Sequence, residues 1–170
     1  MPSPWTTSSP DTTPRLVFAA RCAAAGTLAY LLAAAAGLPH PVWASMSSLI
    51  VSQESFDATR RSIVGRVIGT SVGAAVAVAV GEVAIRVGLP LAAQIAVAVG
   101  QCALFVKGRP SLRVCLWTCP VVLLTAAPGS SVEYTGWMRG CEVILGALTG
   151  GLIHGFEQAT IWLARRRTPR

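Results

Sequence analysis

The sequence predicts an all-α membrane protein with six transmembrane helices, arranged as a 3+3 inverted repeat with both termini cytoplasmic. Three observations lead to this fold class. The 170-residue chain is 53% hydrophobic and 12% charged, about half the charged share of an average soluble domain, and its mean hydropathy is +0.59. Its basic residues are concentrated in alternate loops. Two stretches of the chain also nearly repeat each other, which is a feature of repeat-built folds.

Apolar segments separated by prolines define the predicted helices, because a membrane-spanning helix needs about 20 apolar residues and proline marks helix starts and breaks. The six segments are 16–38, 42–56, 60–82, 89–106, 112–127 and 134–157. The predicted organisation is a flexible tail at 1–15, a six-helix domain at 16–163 and a basic cytoplasmic tail at 164–170, with repeat one at about 16–85 and repeat two at about 89–157.

Loop charges set the predicted orientation. With six spans, one side of the membrane holds the basic residues Arg15, Arg60, Arg61, Lys107, Arg109, Arg113, Arg165, Arg166, Arg167 and Arg170. The opposite side holds only Arg86. Because basic residues are retained on the cytoplasmic side, both termini are expected to be cytoplasmic.

The internal repeat consists of a tryptophan segment followed by an arginine segment. VWASMSSLIV around Trp43 corresponds to LWTCPVVLL around Trp117, and RVIGTSVGA from Arg66 corresponds to RGCEVILGA from Arg139. Each copy contains three spans, and an odd number reverses the orientation of the second copy relative to the first. The two arginines are therefore expected near opposite membrane faces, one at each mouth of a path.

Arg66 and Arg139 are the first candidates for a substrate path, because a charge inside a span is costly and usually faces protein or a water-filled cavity. The alternative is an arginine that snorkels to the lipid headgroups, although their matching positions favour the path. Glu142 follows Arg139 by three residues on the same helix face. It is the candidate for proton coupling, and a neutralising pair with Arg139 is the alternative.

The second and fifth segments are short and occupy corresponding places in the two halves, which is typical of a binding site near the membrane midplane. Their polar side chains extend the predicted substrate path. The alternative is that the serine hydroxyls bond only to carbonyls of their own helix. The residues are Ser45, Ser48, Ser52, Gln53 and Thr118.

Glycines at four-residue spacing predict close helix packing in the third and sixth segments. They are Gly65, Gly69, Gly73, Gly146 and Gly150. These segments are expected to cross each other or to pair across a dimer axis. The protein is also expected to be a homo-oligomer. A glycine stripe that lines a narrow pore is the alternative.

Catalysis is not indicated, because the sequence contains no nucleophile–base set and no phosphate-binding loop. Neither His40 nor His154 has a plausible catalytic partner in the sequence. The five cysteines lie in apolar runs, where they are expected to be small core residues rather than metal ligands or disulfides. The net charge of +7 is explained by the cytoplasmic loops, without aromatic–basic interleaving for nucleic acid. No cofactor, metal or catalytic residue is predicted.

The run WASMSSLIVSQESFDATRRSIVGRVIGTSVGA, from Trp43 to Ala74, closely resembles the membrane domain of the fusaric acid resistance protein-like (FUSC) and aromatic acid exporter superfamily. The matching parts are Trp43-Ala44, the Gln53-x-Ser55 turn, Ala58-Thr59 and Arg66-x-x-Gly69-Thr70-x-x-Gly73. The resemblance covers about residues 15–160. Long members of this superfamily resemble two such blocks with cytoplasmic domains, so a single block is expected to self-assemble or to have a role other than that of a complete exporter.

The resemblance implies efflux of aromatic carboxylic acids or similar organic anions across the bacterial inner membrane. A multi-pass inner-membrane transporter whose partners are the lipid bilayer and a small organic anion is therefore predicted. The first alternative is a passive anion channel of the same fold. The second is a non-transporting membrane scaffold or accessory subunit, with the glycine stripes as its working surface.

Overall fold

The computed structural model describes residues 12–126 and 131–167. Over these ranges the chain forms six α-helices and one short 3-10 helix, with no β-strand, which confirms the all-α prediction for this part of the chain. The α-helices are α1 (Thr12–Ala35), α2 (Pro41–Val51), α3 (Phe56–Val87), α4 (Leu91–Val106), α5 (Cys115–Thr125) and α6 (Val132–Arg167), and the 3-10 helix is Pro110–Leu112.

The boundary between α2 and α3 differs from the prediction. The predicted segment 42–56 continues to Phe56, whereas α2 ends at Val51 and Phe56 is the first residue of α3. Ser55 accounts for the difference, since its hydroxyl accepts a hydrogen bond of 3.3 Å from the Ala58 N–H and caps the new helix. At its other end, α3 stops at Gly88, which has a φ of +66°, a left-handed conformation that glycine adopts without strain.

Both terminal helices are longer than their predicted spans. α1 begins at Thr12 and α6 continues to Arg167, so helix extends into the predicted tails 1–15 and 164–170. The rest of those tails lies outside the described residues. Among the described residues, two helical stretches are long and apolar enough to cross a membrane, Arg15–Ala35 and Phe56–Val87, while α2, α4 and the segment Pro110–Thr125 are shorter apolar helices.

The outer surface of the helices is strongly apolar. Leu104 is 79% exposed, and Ile85, Leu152 and Phe156 on other helices are exposed to a similar extent. Large apolar patches on a protein surface mark contact with a partner or a membrane. In a chain with so few charges, these side chains suit contact with lipid.

The helix contacts occur in corresponding pairs. α3 and α6 pack against each other. α6 also packs against α1 and α2, and in the same way α3 packs against α4 and α5. The pairs α1–α2 and α4–α5 correspond as well. The third helix of each half thus contacts all three helices of the other half.

The predicted glycine stripes lie in these contacts between halves. A Cβ atom added to Gly73 of α3 would lie 2.8 Å from Thr118 Cβ of α5, and one added to Gly150 of α6 would lie 2.7 Å from the Ser48 carbonyl oxygen of α2. Both distances are too short for real Cβ contacts. The other three stripe glycines have equally close neighbours. Gly65 and Gly69 face the segment from Ser111 to Val114, and Gly146 faces Ala44.

The third and sixth segments were expected to cross each other or to pair across a dimer axis, and α3 and α6 do pack against each other. The five stripe glycines, however, face the second helix of the opposite half or the segment just before it, and α3 and α6 meet through other residues. Gly136 of α6, for example, lies against Val78 and Ala74 of α3. The stripes therefore determine where α2 and α5 lie relative to the centre of the molecule.

Candidate functional site

The two arginines of the internal repeat line the same small cavity. Arg66 on α3 and Arg139 on α6 are 5% and 6% exposed, and both border a cavity of about 20 Å³. The remaining lining residues are Trp43, Trp117, Thr118, Val121 and Val143. This arrangement differs from the prediction that one arginine would lie at each mouth of a path.

Each arginine reaches across to the other half of the molecule, which explains the difference. The guanidinium carbon of Arg66 lies 5.7 Å from the ring centre of Trp117 on α5. The guanidinium carbon of Arg139 lies 3.4 Å from the ring centre of Trp43 on α2. Contacts of a cation with an aromatic face are attractive, and most strongly so when water is excluded. The position of each arginine along its helix therefore predicts where its backbone lies, but it does not predict where its guanidinium group lies.

Trp43 and Trp117 are functional candidates that the sequence analysis used only as markers of the repeat. The available signal was their order, since each tryptophan precedes an arginine at nearly the same distance in both copies. In the structure, the tryptophan of each copy contacts the arginine of the other copy and not the arginine that follows it in the chain.

Glu142 lies beside Arg139 and is 1% exposed. Its Oε2 atom is 3.8 Å from Arg139 Nη1. Its Oε1 atom accepts a hydrogen bond of 2.7 Å from the His40 backbone N–H, directly before the first residue of α2. The carboxylate therefore offsets the charge of Arg139 and also satisfies a donor at the start of α2, as a capping side chain does.

Arg66 has no carboxylate partner among the described residues. Its Nε and Nη1 atoms are buried and have no hydrogen-bond partner there. The position three residues after Arg66, where Arg139 has Glu142, is occupied by Gly69. A buried charge without a partner is strongly unfavourable, so the site carries an uncompensated positive charge that favours an anion.

Two larger cavities lie toward the predicted outer and cytoplasmic sides. The first has a volume of about 220 Å³ and is lined by Arg139, Glu142 and Trp43 together with residues from the start of α6. It shares Trp43 and Arg139 with the central cavity. The second has a volume of about 730 Å³ and is lined by Arg60, Arg61 and Arg109 among others. Both could admit a small organic anion more readily than the 20 Å³ centre.

Of the polar residues predicted in the short helices, Thr118 lines the central cavity. Two of the predicted serines, Ser48 and Ser52, bond to carbonyls of the α2 segment itself. Ser48 donates to the Ser45 carbonyl at 2.7 Å, and Ser52 donates to the Ser48 carbonyl at 2.8 Å. The hydroxyl of Ser47, which was not predicted, donates to the Val143 carbonyl of α6 at 2.9 Å.

Gln53 contacts a second polar cluster, in which Arg21, Thr59 and His154 are buried. Its carbonyl accepts a hydrogen bond of 2.6 Å from Arg21 Nη2, and Arg21 Nη1 lies 2.9 Å from Glu157 Oε2. The Gln53 N–H donates to Thr59 Oγ1 at 3.1 Å, and Thr59 Oγ1 lies 2.8 Å from His154 Nδ1. This cluster, which sequence reasoning missed, ties α1 to α6 and to the α2–α3 turn.

An apolar outer surface around buried arginines defines a helical membrane protein with a cationic centre. The model of the fusaric acid resistance protein-like family matches residues 28–153, which is most of the 170-residue chain. The chain therefore belongs to the fusaric acid resistance protein-like family, whose membership suggests a membrane transport or resistance role. No curated protein and no solved structure matched the chain.

Proposed function

We propose that the chain is a bacterial inner-membrane transporter that exports small organic or aromatic carboxylate anions. The observation that carries this proposal is the convergence of the buried Arg66 and Arg139 side chains on one small cavity with Trp43 and Trp117 in its wall. A guanidinium group can bind a carboxylate through two parallel hydrogen bonds. An indole face next to it favours an aromatic ring. The site thus offers both halves of an aromatic acid a partner.

Arg66 is the proposed primary contact for the carboxylate, because the charge of Arg139 is already offset by Glu142. Glu142 is the proposed proton-coupling residue. Protonation of its carboxyl group would remove the countercharge of Arg139 and would strengthen the attraction of the site for an anion. The alternative, a permanent neutralising pair, predicts transport that does not depend on Glu142 protonation.

The size of the central cavity makes a conformational change part of the proposal. A cavity of about 20 Å³ has room for roughly one water molecule, so an aromatic acid passes only if the surrounding helices move. The corresponding contacts of α2 on α6 and α5 on α3 support a rocking motion of one half against the other, as in transporters with inverted repeats. The same constriction weighs against a continuously open channel.

The proposed topology is six spans in a 3+3 inverted repeat with both termini cytoplasmic. The supporting observations are the loop charges and the corresponding helix contacts. The glycine stripes on which the scaffold alternative depended are occupied by contacts within the chain. For that reason a transporter is preferred to an accessory subunit.

The test is transport of radiolabelled benzoate by the purified protein in proteoliposomes, under an imposed pH gradient and under an imposed voltage. Protein-dependent benzoate flux is expected, and Arg66→Gln is expected to abolish it. Arg86→Gln serves as a matched control, because Arg86 lies in the last turn of the same helix and outside all three cavities. Flux no greater than that of protein-free vesicles under both gradients would reject the proposed function.

A further inference from the structure

We propose that the central cavity is a binding site for one small monovalent inorganic anion of halide size, held between Arg66 and Arg139. The proposal rests on the same cavity as the proposed transport function, but it concerns a different ligand. Binding of this anion can also be measured without any transport.

The first step of the argument is the count of charges around the cavity. Arg66 and Arg139 both line it, and the carboxylate of Glu142 lies 3.8 Å from Arg139. Two guanidinium groups and one carboxylate, all of them buried, leave one positive charge. A buried charge of this kind requires a partner. One monovalent anion supplies it.

The second step is the hydrogen-bonding capacity of the site. The Nε and Nη1 atoms of Arg66 and the Nη1 atom of Arg139 are buried, and none of them has a hydrogen-bond partner among the described residues. Arginine donates and does not accept hydrogen bonds. The hydroxyl of Thr118, which also lines the cavity, is committed to the Val114 carbonyl at 3.0 Å. A ligand that accepts several hydrogen bonds is therefore favoured over one that must also donate.

The third step is size. A cavity of about 20 Å³ is close to the minimum of about 10–15 Å³ that holds one water molecule. A single halide ion or a single water molecule fits this space, whereas phosphate, sulfate or an aromatic acid does not. Because the charge of Arg66 is uncompensated, a halide ion is favoured over a water molecule.

Most of the remaining wall of the site is apolar. The rings of Trp43 and Trp117 and the side chains of Val121 and Val143 complete the lining. In such low-dielectric surroundings, a charge-assisted hydrogen bond to an anion is stronger than in water. The anion is thus expected to stabilise the contact between α3 and α6 until a larger substrate replaces it.

The experiment measures broadening of the ³⁵Cl NMR line by purified protein in nanodiscs, with chloride titrated against gluconate at constant ionic strength. We expect saturable excess broadening that bromide displaces. Arg66→Gln should weaken chloride binding by at least about tenfold, while Arg86→Gln should leave it unchanged. Glu142→Gln should bind chloride more tightly than the unaltered protein, because the glutamine oxygen can still accept the His40 N–H while the competing negative charge is removed.

Each protein is first checked by size-exclusion chromatography for a single, non-aggregated species. Absence of excess broadening in the unaltered protein would overturn the proposal. Failure of Glu142→Gln to bind chloride more tightly than the unaltered protein would also overturn it. This variant decides the outcome if Arg66→Gln does not fold. Chloride binding without benzoate flux would reject only the transport function, whereas benzoate flux without chloride binding would reject only this inference.

Discussion

The guanidinium carbon of Arg139 lies 3.4 Å from the ring centre of Trp43, whereas Arg66, its counterpart in the first repeat, lies 5.7 Å from the ring centre of Trp117. The carboxylate of Glu142 also lies 3.8 Å from Arg139, and Arg66 has no such countercharge among the described residues. The two halves of the molecule therefore supply one arginine with a neighbouring carboxylate and one without.

The arginine at position 66 should be required for its shape as well as its charge. Arg66→Lys keeps the positive charge but loses the planar group that binds a carboxylate through two hydrogen bonds. We expect benzoate flux in proteoliposomes to fall by about tenfold in Arg66→Lys and to be lost in Arg66→Gln. Equal flux in Arg66→Lys and the unaltered protein would show that only the charge is needed.

The two tryptophans should contribute unequally to stability. A desolvated contact between a cation and an aromatic face contributes about 2 kcal/mol, and an exposed one about 0.5–1 kcal/mol. Trp117 is 55% exposed and lies farther from its arginine. We expect Trp43→Leu to lower the free energy of unfolding more than Trp117→Leu does, measured by denaturant-induced unfolding in micelles. The reverse order would contradict the assigned geometry.

The packing of α2 on α6 should be sensitive to a single methyl group. At Gly150 an added Cβ would meet the Ser48 carbonyl oxygen at 2.7 Å, whereas at Gly140 of the same helix nothing lies within 4 Å. Overpacking typically costs about 1–3 kcal/mol, so Gly150→Ala should lower the unfolding temperature. Gly140→Ala is the control and should have little effect or raise it slightly. Similar losses in both variants would argue against close packing at Gly150.

The ion pair between Arg21 and Glu157 should show strong coupling. Glu157→Gln leaves the Arg21 charge buried without its carboxylate, and we expect it to cost about 2–3 kcal/mol of unfolding free energy, less than for a fully buried pair because the Glu157 side chain is 21% exposed. The double variant Arg21→Met with Glu157→Leu should lose less unfolding free energy than the sum of the losses in Arg21→Met alone and Glu157→Leu alone. A strictly additive result would show that the pair makes no net contribution.

The proposed orientation can be tested by labelling single cysteines in intact cells. In a background with the native cysteines replaced, Glu54→Cys in the α2–α3 turn should react with a membrane-impermeant maleimide only after permeabilisation. Glu133→Cys, at the start of α6, should react without it. Both positions are exposed in the structure, so accessibility within the fold is comparable. Reaction of both residues from the same side would refute the inverted arrangement.

The sequence predicted the helices and the two central arginines, but not the way those arginines meet. Apolar runs reveal a helix because its surface must face lipid, and a charge within such a run is conspicuous. Where Arg66 and Arg139 direct their guanidinium groups depends on which helices pack beside them. That information is held in contacts between residues far apart in the chain.

The same limit applies to the ion pair that sequence reasoning missed. Arg21 lies within the first predicted segment, but its partner Glu157 is 136 residues away, at the predicted end of the sixth segment. Nothing in the local pattern of either residue indicates the other. The end of α2 was misplaced for a local reason, because the predicted segment was continued across the polar residues 52–55 to Phe56, whereas Ser55 caps a new helix.

Gly69 stands where the second half of the molecule has Glu142. Two identical halves, inverted with respect to each other, would give inward-open and outward-open forms of equal free energy. A single carboxylate beside only one of the two arginines removes that equality, so that an unloaded carrier of this design rests preferentially with one side open. Glu142→Gln, which removes the carboxylate, is then expected to bring the two open forms of the unloaded carrier closer in free energy.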